Sequence, residues 1–267
     1  MSRFELVEKS AVVTGAFGKL GPIWCEALLE AGARVVGIDL PAATRTPAAN
    51  NLLARFNKRL TYYCGDVTSR QSLVDVRDQC AAAGILPTVL VNNAGIDQPP
   101  GLGARYRIED IPADAFGRVL EVNVTGAFLA AQVFGPAMVD TRSGSIINIG
   151  SLYASVSPDA RLYDHIPGDV PFTKPPAYGA SKEALLNITR YLATHWGKFG
   201  VRVNMLSPGG VEGDQDPEFK RKFTARVPLA RMAVADDLVG PLIFLASDAS
   251  RYLTGVEIRV DGGFTAW

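Results

Sequence analysis

Short apolar runs alternate along this chain with longer stretches in which apolar residues recur every three or four positions. The runs are Ala11–Gly15, Arg34–Asp39, Leu60–Cys64, Pro87–Val91, Gly144–Ser151, Val201–Leu206 and Val256–Val260. Runs this short, rich in Val and Ile and bounded by Gly, Pro, Asn or Asp, read as strands covered on both faces. Between them, Gly21, Cys25, Leu28, Leu29 and Gly32 recur at helical spacing, and Ser69 is placed as the N-cap of a helix reaching Ala83. A long apolar helix is expected from about Pro112 to Met138. Another carries Leu185, Ile188, Leu192 and Trp196, and a last one runs from about Ala235 to Ser247. Strand and helix alternate over the whole length without a linker. The pattern predicts an α/β fold: one doubly wound parallel sheet of about seven strands, helices on both faces, forming a single domain over residues 1–267.

Composition narrows the partners. The chain has 267 residues, 48% of them hydrophobic, with 27 basic and 27 acidic side chains. That balance lacks the basic surplus of a nucleic-acid binder. Cys25, Cys64 and Cys80 are odd in number and unpatterned, so they read as free thiols in a reducing compartment. No apolar run approaches a membrane span and the charged N-terminus does not read as a signal peptide, which points to a cytoplasmic protein.

The first strand–helix junction carries the chemistry of a dinucleotide site. Gly15 permits the tight turn, Gly18 allows close approach of a pyrophosphate, and Gly21 lets the helix pack on the strand. The helix N-terminus offers unpaired N–H groups to the phosphates. Asp39 follows 18 residues after Gly21 at a strand end, placed to accept hydrogen bonds from ribose hydroxyls. Its charge opposes a 2′-phosphate and Leu40 brings no cation, so NAD is expected over NADP, with Lys19 the one residue arguing the other way. Asp66-Val67 and Asn92-Asn93-Ala94-Gly95 close the third and fourth strands on the same side of the sheet.

Tyr178 and Lys182 lie four apart, on one face of a helix. A phenol becomes a useful base near neutral pH if a neighbouring ammonium and a cationic cofactor ring pull its pKa down by roughly 2–3 units, about 3–4 kcal/mol. Ser151 sits at the carboxyl end of its strand, on the ligand side. Asn123 lies inside the long helix, where asparagine is a poor choice unless a backbone distortion or a water gives it a partner. His195 reads as a surface or packing residue, and no metal-binding set is expected.

Together these residues resemble the short-chain dehydrogenase/reductase family in its single-domain form, similar to members acting on sugars or sugar-derived compounds. The match runs from Thr14-Gly15 through Asn123, Ser151 and Tyr178/Lys182 to Pro208-Gly209 and Val260-Asp261-Gly262-Gly263. The resemblance implies a Rossmann fold and a homo-oligomer, tetramer or dimer. It makes Tyr178 the general acid/base, Lys182 the group that lowers its pKa and binds the nicotinamide ribose, Ser151 a donor to the substrate oxygen, and Asn123 the holder of a relay water. The cofactor-binding set it implies is Gly15, Phe17, Gly18, Lys19, Leu20 and Gly21 in the loop; Asp39, Leu40, Asp66 and Val67 after the next strands; Asn93, Ala94 and Gly95; Tyr178 and Lys182; and Pro208, Gly209 and Val211.

Four features depart from the family pattern. The glycine spacing is closer to that of extended members. The common threonine after Pro208-Gly209 is replaced near Gly213. Residues 210–228, a lid in the family, are highly charged. Ser151 and Tyr178 are 27 residues apart, about twice the usual separation, which predicts a flap at about 154–176. Arg161, Tyr163 and His165 of that flap are the expected substrate contacts, together with Ser151 and Tyr178. Such groups suit a small polar substrate such as a sugar or sugar acid. The expected function is NAD-dependent oxidation of a secondary alcohol to a ketone. The alternatives are an NADPH-dependent keto-sugar reductase and a non-catalytic dinucleotide sensor.

Overall fold

The structure, a computed structural model, describes residues 3–97 and 105–267. Seven parallel strands form one sheet: β1 (Ser10–Thr14), β2 (Arg34–Asp39), β3 (Leu60–Cys64), β4 (Val89–Asn92), β5 (Gly144–Ile149), β6 (Val201–Pro208) and β7 (Glu257–Val260). Their spatial order is β3-β2-β1-β4-β5-β6-β7. β1 therefore lies between β2 and β4, with Val12 opposite both Val36 and Leu90. The chain reverses its direction of travel across the sheet there, opening a crevice at the strands' carboxyl ends.

Alternate residues along the strands enter opposite layers, as the twofold period of a strand requires. Ala11, Val13, Val35, Val89, Val91 and Ile147 face one layer, packed by α1 (Gly21–Glu30) and α8 (Ala235–Ala246) around Trp24, Leu28 and Leu242. Val12, Val36, Leu90, Ile146 and Val203 face the other, packed by α3 (Arg70–Ala82), α5 (Gly126–Asp140) and α6 (Pro176–Trp196). The short α2 (Pro47–Arg55) covers the edge near β3.

Most expected boundaries hold within a residue or two, and Ser69 caps α3 by accepting from Ser72 N–H. The fourth strand starts later than expected because Pro87 has no N–H to give the ladder. The long helix is not continuous: α4 (Ala113–Leu120) passes through a single π turn, Glu121–Thr125, before α5. Residues 113–140 are long and apolar enough to cross a membrane, but Ala130, Ala131, Val133 and Phe134 pack against the sheet as core. The charged stretch after β6 contains a helix, α7 (Pro217–Thr224), capped by Asp216. Cys25 and Cys80 are buried and Cys64 exposed, all free. Burial pushes the Cys25 thiol up to about 12.

Buried amides tie the two halves of the sheet. Asn92 donates to Asn148 Oδ1 (2.8 Å) and to the Ala127 carbonyl (3.2 Å), and Asn148 donates to Thr189 Oγ1 on α6 (2.8 Å). At the first turn, Gly15 has φ +65°, and a side chain on Gly21 would strike the Gly15 carbonyl and the Ala16 backbone. Backbone cannot retreat as a side chain can. Gly21→Ala is expected to lose about 1–3 kcal/mol of stability, read as a lower midpoint in thermal or urea unfolding. An unchanged midpoint would show that the turn relaxes freely.

Candidate active site

Two adjoining cavities occupy the carboxyl end of the sheet. The larger, about 540 Å³, runs over the β1, β2 and β4 ends. Its walls hold Gly15, Phe17, Gly18, Lys19 and Leu20 of the glycine loop. Asp39 and Leu40 follow β2, Asp66 and Val67 follow β3, and Asn93, Ala94 and Gly95 follow β4; Tyr178 and Lys182 also line it. The sequence singled out all of these. Gly21 lies beneath the loop, and Pro208, Gly209 and Val211 stand apart from the cleft: Gly209 packs on Asp261, while the Val211 carbonyl accepts from Gln215 and Lys19. The smaller cavity, about 340 Å³, is bounded by α4, by Asp97 and Arg105, and by residues 171–178. Ile96, Asp97 and Tyr178 border both cavities.

The cleft fits a nucleotide in its own geometry. Asp39 is fixed at its rim, Oδ2 accepting from Phe17 N–H (2.7 Å) and Oδ1 from Leu40 N–H (2.9 Å). The first turn of α1 has no side-chain cap, which leaves its N–H groups to an anion. A side chain on Gly95 would crowd Asn123 Oδ1 and project toward Lys182 Nζ. Asn93 holds the cleft floor together, donating to the Thr14 and Gly15 carbonyls (both 3.0 Å) and accepting from Trp24 Nε1 (2.8 Å).

Tyr178 and Lys182 share one face of α6. Lys182 is buried, donates to the Ile149 carbonyl (2.8 Å), and stands 5.6 Å from the Tyr178 ring centre. A second ammonium, Lys174, stands 5.1 Å from the same ring and pairs with Asp97. Burial, then the Asp97 charge, push the Tyr178 phenol above its ordinary value, and a hydrogen bond with Ser151 only partly opposes them. The four-residue spacing reveals the nearby ammonium but not this desolvation, which opposes ionisation of the phenol. Burial likewise lowers Lys182 from its ordinary 10.5 to about 8, with Asp97 opposing.

Asn123 occupies the middle of the π turn. Its Oδ1 accepts from Ile96 N–H (2.8 Å), and its Nδ2 donates to the Ile96 carbonyl and to Ser181 Oγ (both 3.0 Å). The distorted helix thus lets one amide grip the strand-like Ile96 backbone and set Asp97 beside Tyr178. Ser151 caps a short 3-10 turn, accepting from Tyr153 N–H (3.2 Å).

Residues 152–175 form a cover over this end of the molecule, and only their last part, from Pro171, walls the smaller cavity. Arg161, Tyr163 and His165 do not line it. Arg161 points to solvent and pairs with Asp159. Tyr163 is buried between Phe172 and Phe219, with ring centres 4.9 and 5.3 Å away. His165 Nε2 meets Asp216 Oδ1 at 2.8 Å, and Lys222 pairs with Asp164. These side chains clamp the segment to α7, through a cluster that also takes in Phe223 and Phe264. The charge run of α7 therefore partly serves that clamp. His195 is exposed and stacks on Tyr191.

The sequence reading passed over Asp97 and Arg105. Asp97 had a signal, since it follows the Asn-Asn-Ala-Gly turn at a strand's carboxyl end. Arg105 had none.

A parallel sheet with a glycine-lined cleft at its reversal point, and a tyrosine–lysine pair beside it, defines a nucleotide-dependent oxidoreductase. Residues 20–265 match the family model described as enoyl-(acyl carrier protein) reductase. The chain is 33% identical to galactitol 2-dehydrogenase of Rhizobium johnstonii, over 99% of this chain and 98% of that protein. It superposes with TM-score 0.85 and 28% identity on a gluconate 5-dehydrogenase from Burkholderia cenocepacia in complex with NADP and tartrate, covering 99% of this chain and 98% of the other. The score is 0.83, at 30% identity, for a short chain dehydrogenase from Leptospira borgpetersenii with bound NAD+, covering 98% and 95%. The chain belongs to the short-chain dehydrogenase/reductase family. It is an enzyme that acts on CH–OH groups with a nicotinamide nucleotide.

The buried lysine gives a pH signature in the nucleotide-free protein. Because Lys182 holds its proton less well folded than unfolded, its burial costs the full amount below pH 8. That cost is relieved as pH rises from about 8 to 10.5, where only the unfolded chain is protonated. Across that window the wild-type protein is expected to gain stability relative to Lys182→Met, on the order of 3 kcal/mol, in paired urea titrations. Parallel pH profiles for the two proteins would contradict it.

Proposed function

We propose that the protein is an NAD-dependent dehydrogenase that oxidises a secondary alcohol to a ketone on a small polar hydroxy compound, of the sugar or sugar-acid kind. The observation that carries this is the position of Tyr178, whose side chain borders both the nucleotide cleft and the smaller cavity. A substrate hydroxyl in the smaller cavity meets the phenol, while the carbon bearing it faces the cleft. Relatives named for galactitol and gluconate support the substrate class.

In this reading, a bound oxidised nicotinamide nucleotide supplies the hydride acceptor and a positive charge. Gly15, Gly18 and the first turn of α1 hold its phosphates, and Asp39 its adenosine ribose. Ser151 donates to the substrate oxygen and Tyr178 takes the hydroxyl proton. Burial holds the phenol above its ordinary value, so a positive charge brought beside it by the oxidised nucleotide would favour its ionisation. Lys182 holds the phenolate, and Asn123 acts by positioning Ile96 and Asp97. The whole chain, 1–267, works as one nucleotide-binding unit, with 154–176 as a flap and 210–228 as a lid. The same reading takes the active form to be a homo-oligomer, tetramer or dimer.

Tyr178→Phe is expected to keep NAD affinity within a few-fold and to lose turnover by a factor of about 10²–10⁴, measured by NADH absorbance and calorimetry. Turnover at the wild-type level would remove Tyr178 from the chemistry.

The second reading is an NADPH-dependent keto-sugar reductase, and the NADP-bound relative gives it weight. Asp39 supports the first. Its carboxylate, fixed by two backbone N–H groups, meets a 2′-phosphate with like charge, and Lys19 is turned toward Val211 and Asp214. Wild-type protein is expected to bind NADH at least 10-fold tighter than NADPH, and Asp39→Ala to narrow that ratio. Tighter NADPH binding by the wild type would favour the reductase.

A further inference from the structure

The smaller cavity has walls of uneven chemistry. Ile96, Ile111, Phe116, Val119 and Phe172 make most of its surface apolar. A neutral polyol lying there would turn several hydroxyls toward carbon, and those out of reach of the few polar walls would lose their water without gaining a partner. The polar side chains among its described walls are Asp97, Arg105, Tyr106, Thr173 and the reacting Tyr178. Asp97 pairs with Lys174 at 2.5 Å. Arg105 has no carboxylate partner among the described residues.

Arg105 is nevertheless held in place. Its Nη1 donates to the Pro167 carbonyl at 2.7 Å and lies 3.5 Å from the Val170 carbonyl. The cup is made by the same segment that walls the cavity, and a side chain on Gly168 would collide with the guanidinium. The remaining guanidinium N–H groups have the planar fork that suits a carboxylate. Among the described residues lining this cavity, Arg105 is the one cation and Asp97, paired with Lys174, the one anion.

We propose that this cavity takes a hydroxy carboxylate, its carboxylate at Arg105 and its carbinol group at Tyr178, and that Arg105 selects the substrate for charge. This rests on the dehydrogenase reading and deepens it: among polar hydroxy compounds, it favours acids over neutral polyols. Arg105 is a specificity residue and takes no part in the hydride or proton transfer.

The experiment compares matched pairs with the full chain and NAD: gluconate against sorbitol, and 4-hydroxypentanoate against its methyl ester, followed by NADH absorbance. For wild-type protein, kcat/KM is expected to favour the acid of the better-used pair by about 10- to 100-fold, with the difference in KM. Arg105→Gln brings that ratio near 1, Arg105→Lys restores part of it, and Gly168→Ala lowers it by displacing the guanidinium. NAD affinity measured on each variant shows whether the cleft is intact. Equal use of acid and neutral partner by the wild type, or an unchanged ratio in Arg105→Gln with NAD binding intact, overturns the assignment of charge selection and leaves the dehydrogenase reading standing. If no alcohol of either kind yields NADH, the dehydrogenase reading itself falls and this inference falls with it.

Discussion

Everything at the ligand end of the molecule depends on one cross-strand tie. The carboxyl ends of β1 and β4 lie side by side where the sheet reverses, and nothing in the ladder extends beyond them. Asn93 supplies the missing connection. Its amide bonds two successive carbonyls of the glycine turn and receives the indole of Trp24, while its backbone N–H and that of Ala94 reach Thr14 Oγ1. A turn that needs a positive φ at Gly15 is thereby fixed relative to the strand leading to Asp97. The two cavities then have a common, rigid boundary.

The second organising contact is the π turn. An asparagine in a regular helix would find its neighbours' N–H and C=O groups already used. One extra residue in the turn shifts the backbone, and the Asn123 amide pairs with both polar groups of Ile96. That exchange carries the order of α4 and α5 across to the short segment beside Tyr178. Opposite it, the aromatic stack from Tyr163 through Phe219 and Phe223 to Phe264 joins the segment after β5, the helix after β6 and the C-terminus into one satellite core. Part of the C-terminal tail is thus used within its own chain.

Features encoded by local rules were legible in the sequence. Strand runs, Ser69 as a cap, and the glycine and asparagine turns each follow from a few adjacent residues. Most of the residues expected around the nucleotide line the cleft, because they sit at strand ends whose side of the sheet is set by topology. Asn123 was legible as an anomaly, although its partner was not. What resisted reading was long-range. His165 looks like a ligand contact among the polar flap residues, yet its partner Asp216, far along the chain, decides where it points, while Arg161 is held by the neighbouring Asp159. Tyr163 turned inward because Phe172 of its own segment and Phe219, far along the chain, were there to receive it. The dryness of the Tyr178 phenol was not legible either: spacing reveals the nearby ammonium but not the burial that opposes ionisation.

A phenol that belongs to the walls of two cavities cannot be indifferent to either occupant. Whatever fills one side removes water from Tyr178 and alters the field at its oxygen, and the other side meets a changed wall. The two affinities are then linked, and linkage is reciprocal: the factor by which the nucleotide changes the hold on the second ligand is the factor by which that ligand changes the hold on the nucleotide. A shared side chain is enough to couple two pockets thermodynamically, with no moving domain required.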